Sequence, residues 1–486
     1  MTQPIRLTRE VAALAETHVL VVGDLMLDRF VAGSVDRVSP EAPIPVLRIG
    51  EETLMAGGAG NVAANLVALG GHATLIGVRG DDDSGRALAD RLKADRLAVH
   101  ALVDGTRPTT VKTRYVAQGQ QLLRADSEQR HAIAEPLAQE LLRHVDDALP
   151  QAGAVVLSDY GKGVLTPAVL QQIIAKAAAQ DVPVVVDPNG ADYTRYKGAA
   201  YVSPNRAELA QAGNEAVGSL DDILRIAPRV MEACGIAAML VTRSEEGLSL
   251  IPRHGEPRHL AAEAREVFDV SGAGDTVVAT FAAALAAGIE PSTAAALANT
   301  AAGIVVTKAG TAVVTAHEII AHLHEADLAA SDAKIRTLDE ALRIAAGWRE
   351  RGLRIGFTNG AFDLLHPGHI SSIAQAREHC DRLVVALNSD ESVRRLKGPS
   401  RPIQSESARA MVLGALEQVD IVVVFSEETP LHLIKALRPD VLVKGGDYRI
   451  DQIVGADVVQ SYGGKVLVAN FLDGHSTTRT VARMAG

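Results

Sequence analysis

Twice along this chain, short aliphatic runs alternate with longer helix-forming segments, and no other feature limits the fold so strongly. The first series has expected strands at 18–22, 154–157, 182–186, 200–203 and 239–242. The second has them at 354–358, 382–388, 421–425, 441–444 and 465–469. Such alternation predicts parallel sheets with helices on both faces. At 486 residues the chain exceeds one ordinary core. Periodicity weakens at 321–336, where His, Glu, Asp and Ser accumulate. The chain is therefore read as α/β domains at 1–320 and 337–486 with a linker at 321–336. Thr337-Leu338-Asp339-Glu340 matches a capping box that opens the second domain.

Residues 30–52 are rich in Pro and Val without a helical period, and read as strands of a sheet apart from the main one. Val111, Thr113 and Tyr115 alternate with polar neighbours, and Gln118-Gly119 is a hairpin-turn signal. Aromatic residues are 3% of the chain, so the cores rest on Val, Leu, Ile and Ala. The formal net charge of −11 argues against a nucleic-acid-binding surface. Two cysteines, Cys234 and Cys380, cannot form a disulfide framework and fit a reducing compartment. Without a secretion-type leader or an apolar run of membrane-spanning length, a cytoplasmic protein with no membrane insertion is expected.

Gly272-Ala273-Gly274-Asp275 precedes a run of good helix formers at 276–287. Glycines at a helix start turn N–H groups toward an anion, and the helix dipole adds positive potential. A carboxylate there would repel phosphate, and makes better sense as a base for an attacking hydroxyl. Read alone, Asp275 could equally be a helix cap. Asn205 and Glu208, directly after a strand, could manage Mg²⁺ through its waters. Thr242 and Gly247 suit a nucleotide-facing edge, while Asp24, Gly57, Gly58 and Asn61 supply the polar groups that sugar hydroxyls need. Gly58-x-Gly60 also fits a dinucleotide fingerprint, but 50–53 before it is not a buried strand, which speaks against a dehydrogenase.

The segments Gly57-Gly58-Ala59-Gly60-Asn61 and 269–275 resemble the hallmarks of the ribokinase-like (PfkB) carbohydrate kinases, over roughly 15–318. That resemblance implies a three-layer domain with a small β lid, often shared between two subunits in a homodimer. It implies Asp275 as catalytic base, Gly272, Ala273 and Gly274 in the anion hole, and Asn205 with Glu208 near the metal. Ser158-Asp159-Tyr160-Gly161-Lys162-Gly163 resembles a segment of members acting on phosphosugars. Lys162 is the candidate for holding a substrate phosphate, a plain surface lysine being the alternative.

In the second series, 358–369 runs from a strand through a turn into a helix and carries Thr358, Asn359, Gly360, Phe362, His366 and His369. Two imidazoles three residues apart at a helix start can face the same phosphates and stabilise a leaving pyrophosphate. A zinc pair completed by His379 or Cys380 is the competing reading. The segment resembles the His-x-Gly-His nucleotidyltransferases, a Rossmann-like superfamily, over 350–480. Further matching pieces are Asn388, Lys397, Arg401, Arg409, Lys444-Gly445 and Ser476-Thr477, whose cations would neutralise a triphosphate. Asp473-Gly474-His475 departs from the arginine and isoleucine that CTP-using relatives often carry before the Ser-Thr pair.

The order of the two domains resembles the bifunctional heptose 7-phosphate kinase and heptose 1-phosphate adenylyltransferase family. It implies phosphosugar substrates, ATP as a substrate of both domains, and Mg²⁺.

Overall fold

The computed structural model describes residues 4–263, 267–446 and 449–469, and divides into compact units at Met1–Leu323 and His324–Gly486. In the first unit the strands are β1 (His18–Val38), β2 (Pro45–Gly58), β3 (His72–Arg79), β4 (Leu97–Val103), β5 (Thr110–Ala117) and β6 (Gln120–Ser127). They continue as β7 (Ala154–Ser158), β8 (Val184–Asp187), β9 (Tyr201–Val202), β10 (Ala238–Thr242), β11 (Leu248–Pro252) and β12 (Arg258–Leu260). The main sheet has the order β12-β11-β10-β9-β8-β7-β1-β3-β4. It is parallel from β10 to β4, with β11 and β12 antiparallel at one edge. Alternate residues of β1 enter different cores. Val19 and Val21 pack with the helix Ala273–Ala286, whereas Leu20 and Val22 join a cluster on the other face.

The lid is not a separate sheet. β1 runs unbroken for 21 residues, pairing with β3 through His18–Asp24 and then with β5 and, antiparallel, β2. Gly23, the residue after the expected strand at 18–22, does not end the strand. It is instead a point of close approach, where a Cβ would collide with the Ser158 carbonyl oxygen of β7. The Gln118-Gly119 hairpin has both turn residues at positive φ, 50° and 78°, as a two-residue primed turn requires. The stretch expected as a linker is mostly helix. Ala316–Asp332 spans the division between the units, because its alanines favour helix even without a clear apolar stripe.

The second unit has β13 (Ile355–Gly360), β14 (Arg382–Asn388), β15 (Ile421–Phe425), β16 (Val441–Gly445) and β17 (Lys465–Ala469), all parallel in the order β15-β14-β13-β16-β17. The direction of strand succession reverses between β13 and β16, which opens a crevice at their carboxyl ends. Val384 and Ala386 face one core, and Leu383, Val385 and Leu387 the other. Thr337 and Glu340 form the expected reciprocal capping box.

Candidate functional sites

In the first unit the polar groups gather at the carboxyl edge of the parallel sheet. Asp275 sits in the first turn of Ala273–Ala286 and is buried. Its Oδ2 accepts from Asn61 Nδ2 at 2.7 Å and its Oδ1 from the Tyr160 hydroxyl at 2.6 Å. Burial raises its carboxyl to about 6, although both hydrogen bonds pull the other way. A carboxylate with that proton affinity is ionised at neutral pH and still able to take a proton.

Asn61, expected among the sugar contacts, is buried and holds the Asp275 carboxylate. It lies one turn into the helix Ala59–Ala68, and Asn65 Nδ2 donates to its carbonyl oxygen at 3.0 Å and to its Oδ1 at 3.3 Å. Those bonds aim its amide nitrogen at Asp275. Gly272, in the left-handed region at φ 77°, leaves room for this contact, since a Cβ there would lie 2.6 Å from Asn61 Nδ2. A Cβ on Gly274 would meet nothing within 4 Å and would project into the open cleft. Gly57 and Gly58 end β2, and a Cβ on Gly57 would strike the Asp28 carboxylate.

Asp24 also has a different place from the expected one. Its carboxylate accepts backbone N–H groups of Tyr160 (2.8 Å), Lys162 (3.0 Å) and Val164 (3.3 Å), so it holds the loop after β7. Lys162 is no surface lysine. It is buried, with Nζ 2.6 Å from Glu128.

Two clefts meet at Gly274 and Thr242. A polar one of about 200 Å³ is lined by Asp159, Asp187, Asn205, Glu208 and Asp275. An apolar one of about 370 Å³ is lined by Gly247, Leu248, Ala273, Val277 and Val306 among others. Asn205 and Glu208 form a reciprocal capping box on the helix Arg206–Gly213. Glu208 is held above the usual carboxylate range by burial, and Asp187 far above it by burial and by Asp275, Glu208 and Asp159. This excess of hard oxygen donors fits Mg²⁺. Among the described residues no three His, Cys, Asp or Glu side chains converge as a metal cluster.

Sequence reading missed Tyr160, Asp28 and Asp187, which meet at or beside the Asp275 carboxylate. Asp187 carried a usable signal, a carboxylate at the carboxyl end of a parallel strand. Tyr160 lies in the quoted 158–163 segment, but nothing local pointed to its partner, which is 115 residues away. Tyr160→Phe removes a donor that favours the ionised base, so the proton affinity of Asp275 rises. For any reaction in which Asp275 takes a proton, the acid limb, expected near pH 6 in the parent, then moves to higher pH. A pH profile of kcat/KM checks this.

In the second unit Thr358, Asn359 and Gly360 end β13, and Lys444 and Gly445 end β16 across the crevice. His366 is the N-cap residue of the helix Pro367–Glu378, and His369 lies in its first turn. Their rings stack at 3.8 Å with a 21° interplanar angle, and Phe362 lies 5.1 Å from His369. Burial, then His366 and Lys397, lower His369 to about 4. Lys444 Nζ donates to the Asn359 carbonyl (3.1 Å) and Oδ1 (3.0 Å), and burial followed by Lys397 lowers it to about 8. Lys397 is itself lowered by burial and by Arg401 and Arg409. Cations that suppress one another's charge this way make a site in want of an anion.

Arg401 pairs with Asp363 and keeps a buried Nη2 without a hydrogen-bond partner. Arg409, expected on the triphosphate, is spent inside the protein. It donates to the carbonyls of Gln404, Ala361 and Asn388 and to the Asp390 carboxylate. Asn388 donates to Ser392 at the end of β14. Cys380 is buried, its thiol donating to the Ala376 carbonyl. Ser476 and Thr477 lie outside the described residues.

Comparison with known proteins follows this division. Residues 16–317 match the family model described as pfkB family carbohydrate kinase, and 357–481 the one described as cytidylyltransferase-like. The bifunctional protein HldE of Paramagnetospirillum magneticum is 54% identical over 100% of both chains. That of a Caulobacter species is 55% identical over 97% of this chain and 96% of its own. Escherichia coli phosphofructokinase-2 with substrates and products superposes with a TM-score of 0.54 at 20% identity. It covers 64% of this chain and 99% of its own, a likeness of fold.

Proposed function

The chain belongs to the bifunctional HldE family, and from that premise we propose that it carries out two non-consecutive steps of ADP-heptose synthesis for the lipopolysaccharide core. The observation that carries the reading is identity of about half over the full length, with both sets of chemistry-bearing residues present. The first unit phosphorylates D-glycero-β-D-manno-heptose 7-phosphate at O1. Asp275 takes the hydroxyl proton as O1 bonds to the γ-phosphorus of ATP and the bond to the departing ADP breaks. Backbone N–H groups at Gly272–Gly274 face the transferring phosphoryl group. Asn205 and Glu208 would hold Mg²⁺ through its waters, and the ion would supply positive charge against the polyphosphate.

The second unit joins AMP to heptose 1-phosphate. A phosphate oxygen of the sugar attacks the α-phosphorus of ATP, the α–β bridge breaks, and pyrophosphate leaves against His366, His369, Lys397, Arg401 and Lys444. Between the steps a phosphatase activity must remove the 7-phosphate.

We propose a cytoplasmic homodimer. Free, buried Cys234 and Cys380 support the compartment, and Val38, Ile49 and Leu123, exposed on the lid strands, support pairing. Among the described residues no helix is long and apolar enough to cross a membrane.

Mass spectrometry of products from ATP and heptose 7-phosphate tests the reading. The bisphosphate is expected alone, and ADP-heptose once a phosphatase is added. Failure to form the bisphosphate would count against it.

A further inference from the structure

Building on the heptose 7-phosphate reading, we propose that Lys112, on lid strand β5, holds the phosphate that the sugar already carries, and thereby sets the preference for a phosphorylated acceptor. Alternation along β5 puts Lys112 and Arg114 on one face of the strand. In register, Lys112 lies opposite Asp28 of β1 and Asp126 of β6.

Three cations gather at this side of the base, and two are neutralised within the protein. Arg114 pairs with Asp28 at 2.5 Å, and Lys162 with Glu128 at 2.6 Å. Among the described residues, no carboxylate lies within 4.0 Å of Lys112 Nζ. Its ammonium lies 5.0 Å from the centroid of the Tyr160 ring, which attracts the charge without cancelling it.

The hydroxyl of that same tyrosine is bonded to Asp275, so Lys112 is tied through one side chain to the atoms where phosphoryl transfer begins. It lines neither of the two clefts that meet at Gly274. Burial, together with Lys162 and Arg114, works against its charge, and Asp28 and Asp126 work for it. A partly buried cation with Lys162 and Arg114 nearby and no carboxylate in contact gains from a dianion. The structure thus moves the phosphate contact from Lys162, which Glu128 already engages, to Lys112.

The test compares heptose 7-phosphate with unphosphorylated heptose as acceptors for the parent, K112M and K112R proteins. In K112M the ratio of the two kcat/KM values is expected to fall about 10–100-fold, mostly through KM for the phosphorylated sugar. K112R should recover most of the ratio. A purely structural role would depress both acceptors alike and leave the ratio unchanged, and that result overturns the assignment. If the parent fails to phosphorylate heptose 7-phosphate at all, the family reading fails first and the proposal with it.

Discussion

Asp275→Asn lowers heptose phosphorylation about 10²–10⁴-fold and leaves adenylyl transfer at its parental rate. The amide keeps the shape of the carboxylate and can still meet Tyr160 or Asn61, but it cannot accept the proton of the sugar hydroxyl. Because both partners donate to Asp275, an Asn side chain must also turn its NH₂ toward one donor. That mismatch places the loss at the upper end of the range. Two assays on one preparation, ADP release with heptose 7-phosphate and pyrophosphate release with heptose 1-phosphate, check the result. Equal loss of both activities in a folded variant would refute two separate sites.

The complementary result is expected from His369→Ala, with a loss of pyrophosphate release of about 10²–10³-fold and phosphorylation retained. His369 is neutral at pH 7 in the free protein, since burial and the neighbouring cations lower it to about 4. Its neutral ring carries one N–H and donates one hydrogen bond. Anionic phosphates raise its proton affinity as they arrive, so positive charge grows where pyrophosphate develops. His366→Ala removes the stacked ring at 3.8 Å and should give a loss of the same order. Undiminished pyrophosphate release in either variant would rule out these roles.

The two sheets were legible because aliphatic runs on parallel strands are a strong signal, and three of the second unit's strands lie where the runs did. The continuity of β1 was not legible, because Gly23 reads as a break until the Ser158 carbonyl against it is seen. Asp275 and the histidine pair stood out through their local glycine and helix-start patterns. What each polar side chain is bonded to stayed hidden. Asp24 and Asn61 look like sugar contacts and Arg409 like a phosphate contact, yet most of their partners are protein groups 19 to 214 residues away. Long-range hydrogen bonds leave no periodic trace in a sequence.

One consequence of the unbroken β1 concerns what variation this pocket can absorb. The strand supplies Asp24, which fastens the loop behind the base, and four residues later Asp28, which fastens Arg114 of the lid. An even spacing keeps both on the same face of the ribbon. Losing or gaining one residue between them would turn every lid side chain beyond it inside out, while the main sheet kept its pairing. Acceptor preference in such a scaffold can drift by exchange of side chains, as at Lys112, but not by a one-residue change of length in this stretch.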